Sequence, residues 1–222
     1  MAPKSPVLAE ITAKTLANYH ERAEIFREGT RDHDVSQNIG ALLRALDVRE
    51  GDTTPRTILD LGCGPGRDLR TFTRLGHRAI GLDGTERFVQ MAREDSGCEV
   101  WHQNFLHLEL PDRYFDGVFA NAVLFHVPTQ ELPRVLGELY ATLKPGGALF
   151  SSNPRGDNTE GWKGERYGAW HDWPTWRALM TGAGFLEIEH FYRPEGLPFD
   201  QQPWLASVWR RPADTGRDVA TV

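Results

Sequence analysis

Three alternating glycines, Gly62, Gly64 and Gly66, are the first residues of this chain whose spacing suggests chemistry, and they separate the apolar run "TILDL" from a charged helical pattern. A strand that turns into a helix through glycines lets a ligand approach the backbone, and the first N–H groups of the helix are free to bind it. A dinucleotide, a phosphate or another small ligand would suit such a turn. The dinucleotide fingerprint is G-x-G-x-x-G, whereas the spacing here is G-x-G-x-G after Asp60.

The elements that must position this turn are strands and helices that alternate from "TILDL" onward. Strands separated by helix-length patterns indicate βαβ units and a parallel sheet. The last two strand patterns, "LEIEHFYR" and "WLASVWRR", have no helix between them, so that edge should contain an antiparallel strand. We therefore predict an α/β fold with a doubly wound, mostly parallel seven-stranded sheet and helices on both faces. Ligands of such sheets bind at the carboxyl ends of the strands, where the glycine turn lies.

The length of 222 residues predicts a single domain spanning 1–222. Amphipathic patterns before the first strand predict an N-terminal helical cap over about 8–48. The segment 212–222 has no apolar periodicity and is expected to be a flexible tail.

Composition and charge narrow the partners of the chain. A net charge of −6 weighs against nucleic acid and anionic membranes. No apolar run reaches the length of a membrane span, and the N-terminus lacks the apolar region of a secretory signal. The two cysteines, Cys63 and Cys98, have no metal-ligand spacing, so we expect a cytoplasmic chain without a metal. The oligomeric state is not indicated.

Five segments in order resemble the class I SAM-dependent methyltransferases, where SAM is S-adenosylmethionine. They are the glycine turn, "IGLDG", "HQNFLHLELP", "FDGVFANAVLFHV" and "LKPGGALFSSN", within a resemblance that covers roughly residues 19–211. The resemblance implies the same fold, SAM as the cofactor, and a transferase activity. It implies these cofactor-binding residues: Tyr19, Gly62, Gly64, Gly66, Asp68, Asp83, Gly84, Asn104, Phe105 and Asn121.

Individual roles follow from the same resemblance. Asp83 would accept both ribose hydroxyls, and Phe105 would lie beside the adenine ring. Asn104 stands where the family commonly has Asp, and its amide oxygen would meet the adenine amino group. Tyr19 resembles the aromatic residue that covers the methionine end, although a core aromatic on an amphipathic helix fits its position equally well.

Three further segments, "GTRDHDVSQN", "SNPRGDNTEGWKGERYG" and "FYRPEGLPFDQQPWLASV", resemble the methyltransferase domain of ovothiol synthase and its stand-alone relatives that make ovothiol or its selenium analogue. That resemblance implies methylation of the imidazole π nitrogen of 5-thiohistidine or 5-selenohistidine. The sulfoxide-synthase part of the fused enzyme has no counterpart here, so a separate enzyme would supply the substrate. The sequence does not distinguish sulfur from selenium.

Such a substrate needs an acceptor for the ring proton, a cation for its carboxylate and an anion for its ammonium group. His126 is the first choice for the proton acceptor, with His33 and Asp32 as reserves, although a core histidine is the alternative for His126. The loop after the fifth strand pattern is punctuated by glycines and is expected to be a lid that carries cationic side chains. The predicted substrate-binding residues are Asp32, His33, Asn121, Asn153, Arg155, Arg166 and Tyr167.

Two other functions remain open at this point. One is a SAM-dependent O- or S-methyltransferase of another small metabolite, and the other is a SAM-binding protein without turnover. A polar second pocket favours turnover, because a protein that only binds SAM does not need one.

Overall fold

The computed structural model describes residues 6–47 and 54–214. Its helices are α1 Pro6–Glu21, α2 Ala23–Thr30, α3 Ser36–Ala45, α4 Arg67–Arg74, α5 Glu86–Ser96, α6 Leu132–Thr142 and α7 Trp173–Gly182. Its strands are β1 Thr57–Leu61, β2 Arg78–Asp83, β3 Glu99–His102, β4 Phe115–Asn121, β5 Leu143–Pro154, β6 Thr159–Lys163, β7 Arg166–Trp170, β8 Leu186–Arg193 and β9 Trp204–Arg210.

Seven of these strands form one mixed sheet in the order β3-β2-β1-β4-β5-β9-β8. Strands β1 to β5 are mutually parallel, and β9 runs antiparallel between β5 and β8. The predicted fold class is therefore confirmed. The order reverses between β1 and β4, so the carboxyl ends of these two strands flank the crevice where a ligand of a doubly wound sheet binds.

The sheet is covered on both faces because successive side chains of a strand point to opposite sides. In β1, Leu59 belongs to the apolar layer under α6 and α7, whereas Ile58 belongs to the layer under α3, α4 and α5. Phe150 of β5 stacks on Phe119 of β4 in the second layer, with ring centroids 5.0 Å apart. Two buried layers hold the sheet rigid, and the loops at its carboxyl edge are built on that support.

A second, two-stranded sheet lies where the sequence predicted a loop. Strands β6 and β7 pair antiparallel across a tight turn in which Gly164 has a φ of +61°. Trp162 and Tyr167 face each other across the strands, with ring centroids 5.5 Å apart. Aromatic cross-strand pairs and a glycine at a tight turn both stabilise hairpins, so "WKGERY" carried a hairpin signal that the loop prediction missed.

The N-terminal segment, predicted as a helical cap over about 8–48, forms three helices, α1, α2 and α3. Helix α1 contacts both α5 and β7, so the cap and the hairpin meet above the carboxyl edge of the sheet. The predicted flexible tail lies outside the described residues from residue 215 onward. Within the described part of the chain, no helix is both long enough and apolar enough to cross a membrane.

Candidate active site

The backbone N–H groups of the glycine turn between β1 and α4 donate hydrogen bonds to other atoms of the protein. The N–H groups of Gly62 and Cys63 donate to the carbonyl oxygen of Leu82, at 2.7 and 3.1 Å. Gly64 N–H donates to Asp83 Oδ2 at 3.0 Å. A turn whose N–H groups are committed in this way is not a phosphate cradle. It is a shaped backbone surface against which an uncharged part of a ligand can lie.

Two of the three glycines are required by close packing. A Cβ at Gly62 would lie 2.1 Å from Cγ2 of Val123, and a Cβ at Gly66 would lie 2.8 Å from the Cα of Ala92. Gly66, with a φ of +92°, therefore lets α5 approach the start of α4 and does not itself face the ligand space. At Gly64 the nearest atom to a Cβ is Cε1 of Phe26 at 3.6 Å, and this glycine does line a cavity.

A cavity of about 600 Å³ extends from the glycine turn along the carboxyl ends of β1, β2, β4 and β5. Helix α1, helix α2 and the β6–β7 hairpin contribute the opposite wall. Nine of the ten predicted cofactor residues line it, and Gly66 is the exception. The nine are Tyr19, Gly62, Gly64, Asp68, Asp83, Gly84, Asn104, Phe105 and Asn121.

Asp83 is the buried carboxylate at the end of β2, with 8% of its surface exposed. Its Oδ2 accepts Gly64 N–H at 3.0 Å and its Oδ1 accepts Thr85 N–H at 2.8 Å. Burial raises its pKa, while these two backbone hydrogen bonds act in the opposite direction. Each carboxylate oxygen keeps a second lone pair, so a pair of ribose hydroxyls can still bind.

Asn104 differs in detail from the expectation. Its Oδ1 accepts Leu106 N–H at 2.9 Å, which commits one lone pair of the oxygen that was expected to meet the adenine amino group. The amide NH2 of Asn104 remains available to an adenine ring nitrogen. An amide that both accepts and donates suits a ring edge that does the same.

Arg67, oriented by Asp68, fastens α2 to α4. Arg67 donates from Nε and Nη2 to the two carboxylate oxygens of Asp68, at 2.7 and 3.0 Å, and from Nη1 to the carbonyl oxygen of Thr30 at 2.9 Å. Asp60 lies beneath this pair, and burial, with Asp68 nearby, holds its pKa well above the usual range. The cap helix is thus fixed to the glycine turn by one arginine.

The structure brings together only part of the predicted substrate set. His33 and Asn121 line the cavity, as do Arg166 and His126. Asp34, which belongs to the same segment as His33, also lines it.

Four predicted substrate residues do not line the cavity. The guanidinium of Arg155 lies 3.7 Å from the ring centroid of Phe199, on which it stacks. The Tyr167 ring packs on Trp162 in the hairpin. Asn153 is buried in the sheet, and Asp32 is exposed on the outer side of the α2–α3 loop. These placements differ from the prediction. The segment after β5 was expected to be one loop but forms the β6–β7 hairpin, whereas Asp32 belongs to a different segment, between α2 and α3.

A hydrogen-bonded chain joins the cap, the hairpin and the end of β4. His126 Nδ1 lies 2.6 Å from the carbonyl oxygen of Tyr167, and His126 Nε2 lies 2.8 Å from the hydroxyl of Tyr19. A carbonyl only accepts, so Nδ1 carries the proton and Nε2 accepts from the Tyr19 hydroxyl. Arg166 Nη1 donates to the same hydroxyl oxygen at 3.2 Å. The Tyr19 oxygen therefore presents its remaining lone pair as an acceptor.

The surroundings of His126 and Tyr19 also determine whether these two side chains are charged. Burial lowers the pKa of His126 to about 4, with the nearby Arg166 guanidinium acting in the same direction. Burial also raises the pKa of Tyr19, against the effect of Arg166. At neutral pH both groups are uncharged. Both ring nitrogens of His126, the predicted acceptor, are thus hydrogen-bonded, and only the Tyr19 hydroxyl connects this histidine to the cavity at Nε2.

Sequence reasoning missed Arg193, the last residue of β8, which also lines the cavity. Its Nε donates to Gln37 Oε1 and its Nη2 to the carbonyl oxygen of Asp34, both at 3.1 Å. The only signal was a basic residue at the end of a strand pattern, in "FYRPEG". Its position beside α3 is a long-range contact that no local pattern reveals.

The fold and the residues at its carboxyl edge indicate the class of protein. The sheet order, the glycine turn and the acidic end of β2 are those of a Rossmann-like SAM-dependent methyltransferase fold. The family model described as "Methyltransferase domain" matches residues 58–147, which run from β1 into β5. Residues 58–147 are thus similar to a methyltransferase domain, in agreement with the predicted enzyme class and cofactor, and the predicted fold is confirmed.

The chain is also similar to individual curated methyltransferases. It is 34% identical over 148 residues to 24-methylenesterol C-methyltransferase 2 of Oryza sativa subsp. japonica, covering 60% of this chain and 38% of that protein. It is 34% identical over 101 residues to trans-aconitate 2-methyltransferase of Azoarcus sp. (strain BH72), covering 45% of this chain and 39% of that protein. The matched region thus spans less than two fifths of the length of these curated relatives.

Among solved structures, the chain is similar to the 1,6-didemethyltoxoflavin-N1-methyltransferase of Burkholderia thailandensis, which was solved with 1,6-didemethyltoxoflavin and S-adenosylhomocysteine (SAH). The TM-score is 0.75 at 20% identity, over 96% of this chain and 93% of that one. A SAM-dependent methyltransferase of Mesorhizobium loti gives a TM-score of 0.61 at 22% identity, over 78% and 100%. These likenesses establish the fold.

Proposed function

We propose that this protein is a SAM-dependent N-methyltransferase of a small histidine-derived substrate, the π nitrogen of 5-thiohistidine or 5-selenohistidine being the acceptor. The observation that carries the proposal is one continuous cavity with two chemically different halves. The half at the glycine turn, Asp83 and Asn104 fits a nucleoside. The other half contains the Tyr19 acceptor and two arginines, Arg166 and Arg193.

The nucleoside half fits SAM on the geometry of the chain itself. A side chain at Gly62 would collide with Val123, so the backbone surface there is kept bare, and the turn offers no N–H groups for a pyrophosphate. Asp83 would hold the ribose and Asn104 the adenine edge. When bound, SAM supplies an electrophilic methyl group to a nucleophile.

The other half fits an imidazole that must lose a proton, because the Tyr19 oxygen would take that proton while the Tyr19 hydroxyl passes its own proton to Nε2 of His126. The lone pair of the Tyr19 oxygen is directed by the His126 tautomer, so it would accept a ring N–H of the substrate. The π nitrogen would then be held with its own lone pair free for an in-line attack. The hairpin and α1 meet above this point, because Tyr167 N–H donates to Thr15 Oγ1 at 3.1 Å and Lys14 pairs with Glu165 at 2.9 Å.

The choice of a chalcogen-bearing histidine as the substrate rests on the resemblance of three segments to ovothiol enzymes. Each of the three segments contributes a charged or titratable side chain to the lining of the cavity, among them His33, Arg166 and Arg193. The structural neighbour from Burkholderia thailandensis is named as an N1-methyltransferase, which is compatible with nitrogen as the acceptor on this fold. Within the described residues, no three His, Cys, Asp or Glu side chains are grouped to hold a metal ion.

The deciding experiment is SAH formation across a panel of small metabolites. The panel contains 5-thiohistidine, 5-selenohistidine, histidine, and several phenols and thiols, each with and without EDTA. We expect turnover of the chalcogen-bearing histidines, unchanged by EDTA. Turnover of a phenol or thiol instead would establish an O- or S-methyltransferase, SAM binding without turnover of any compound would indicate a binding protein, and loss of activity in EDTA would contradict the absence of a metal.

A further inference from the structure

We propose that Arg193 is the residue that binds the substrate carboxylate, an assignment that rests on the proposed function. Arg193 ends β8 and lines the cavity together with Ser152 of β5 and Trp204 of β9. These residues surround the end of the cavity that lies beyond β4, away from the glycine turn and Asp83. An amino acid whose ring meets Tyr19 would extend its charged end toward this corner.

The guanidinium of Arg193 is held in place by neutral acceptors. Gln37 Oε1 accepts from Nε and the Asp34 carbonyl accepts from Nη2, each at 3.1 Å. Gln37 is itself oriented, because its Nε2 donates to Glu195 Oε2 at 3.1 Å. Two contacts therefore fix the plane of the guanidinium while its positive charge is not cancelled by either of them. Among the described residues, no carboxylate lies within 4.0 Å of Arg193.

The three arginines that line the cavity have different tasks. Arg67 is paired in a fork with Asp68. Arg166 donates to the Tyr19 oxygen. Arg193 alone of these three combines a fixed orientation with a charge that forms no salt bridge in the described chain, because the nearby Asp34 carboxylate lies beyond salt-bridge distance. Bidentate binding of a carboxylate is the contact that such a guanidinium makes best.

Asp34 adds a second feature of the same corner. Its carbonyl holds Arg193, while its exposed carboxylate accepts Ser36 N–H at 2.8 Å, and this hydrogen bond lowers its pKa. An α-amino acid has its carboxylate and ammonium groups on one carbon. A guanidinium and a carboxylate side by side at the cavity wall match that arrangement, whereas an amine without a carboxylate would use only half of it.

The test compares 5-thiohistidine with its decarboxylated amine, 5-thiohistamine, in wild type and in Arg193→Gln. We expect Arg193→Gln to lower kcat/KM for the amino acid about 10- to 150-fold, the range for a lost hydrogen-bonded charge, and to leave kcat/KM for the amine nearly unchanged. Arg193→Lys keeps the charge without the fork and should recover part of the loss. An unchanged SAH affinity would show that the cofactor half of the cavity is intact.

Two further arginine variants sharpen the outcome. Arg177→Gln removes an exposed guanidinium from α7 that pairs with Glu187 of β8, and it should behave as wild type toward both compounds. If Arg155→Gln, and not Arg193→Gln, loses the preference for the amino acid, the assignment to Arg193 is overturned. Unchanged preference in Arg193→Gln overturns this assignment alone. A wild type that turns over neither compound overturns the proposed function, and this assignment with it.

Discussion

At the scale of single residues, the decisive contact is the one between Tyr19 and His126, because it determines which group meets the substrate. The carbonyl of Tyr167 fixes the histidine tautomer, and the histidine then fixes the direction of the Tyr19 proton. These hydrogen bonds leave the Tyr19 oxygen with one lone pair that can accept a further hydrogen bond. The predicted proton acceptor, His126, and the predicted aromatic cover, Tyr19, thus belong to one hydrogen-bonded unit.

Replacing Tyr19 by Phe keeps the ring and removes the acceptor oxygen. We expect the turnover rate to fall about 10²- to 10⁴-fold, the usual contribution of a positioned proton acceptor, with little change in SAH affinity. Steady-state kinetics and calorimetry measure the two quantities. Tyr140→Phe is the matched control, since Tyr140 of α6 packs on Phe185, outside the cavity lining. Near-normal turnover of Tyr19→Phe would remove the oxygen from the mechanism.

His126 should also make stability depend on pH. Burial lowers its pKa in the folded protein to about 4 from an ordinary value near 6.5. Between these values the unfolded chain binds the extra proton, so the free energy of unfolding falls as the pH falls through this window. From pH 7 to pH 5 the loss is about 2 kcal/mol.

Urea unfolding of wild type and His126→Gln at the two pH values measures this difference. The raised pKa values of Asp60 and Asp83 act with the opposite sign, but they are common to both proteins and cancel in the comparison. Wild type should therefore lose about 2 kcal/mol more than the variant between pH 7 and pH 5. Equal losses would show that His126 is not buried as a neutral group.

At the scale of elements, periodicity predicted what depends on neighbours in the sequence. The strands and helices around the glycine turn, and Asp83 at the end of β2, follow from alternation, apolar spacing and the order of βα units. The hairpin was missed because glycines in a polar segment suggest a loop until the pairing of Trp162 with Tyr167 is known. Arg193 was missed for a related reason, since its partner Gln37 is 156 residues away.

The contact between α4 and α5 gives a stability prediction at this scale. Gly66 and Gly76 both have positive φ, +92° and +84°, but a Cβ at Gly66 would meet the Cα of Ala92 at 2.8 Å, whereas nothing lies within 4 Å at Gly76. Gly76→Ala should cost about 1 kcal/mol from backbone strain alone. Gly66→Ala should cost about 1–3 kcal/mol more, because α5 must move. Urea unfolding of both variants measures the difference, and similar losses would mean that the packing relaxes freely.

At the scale of the whole molecule, the cap and the sheet share one cavity. Thr15, Tyr19 and Phe26 come from α1 and α2, while Asp83 and Asn121 come from the sheet, and all five line the same space. A ligand that fills it must contact both parts. The predicted single domain therefore has a physical consequence, which is that cap and sheet should unfold together and be stabilised together.

Thermal unfolding with and without SAH measures this coupling. At a concentration 100-fold above its dissociation constant, SAH should raise the free energy of unfolding by about 2.7 kcal/mol, which corresponds to about 5–10 °C for a chain of this size. Circular dichroism and tryptophan fluorescence should report one coincident transition in both conditions. Asp83→Ala loses the ribose acceptor, so SAH affinity should weaken by about 1.5–3 kcal/mol. At the same SAH concentration, most of the rise in unfolding temperature should therefore be lost in this variant. A separate early transition of the cap that SAH does not move would show that the N-terminal helices are an independent unit, and the wall that they give to the cavity would then be dispensable for cofactor binding.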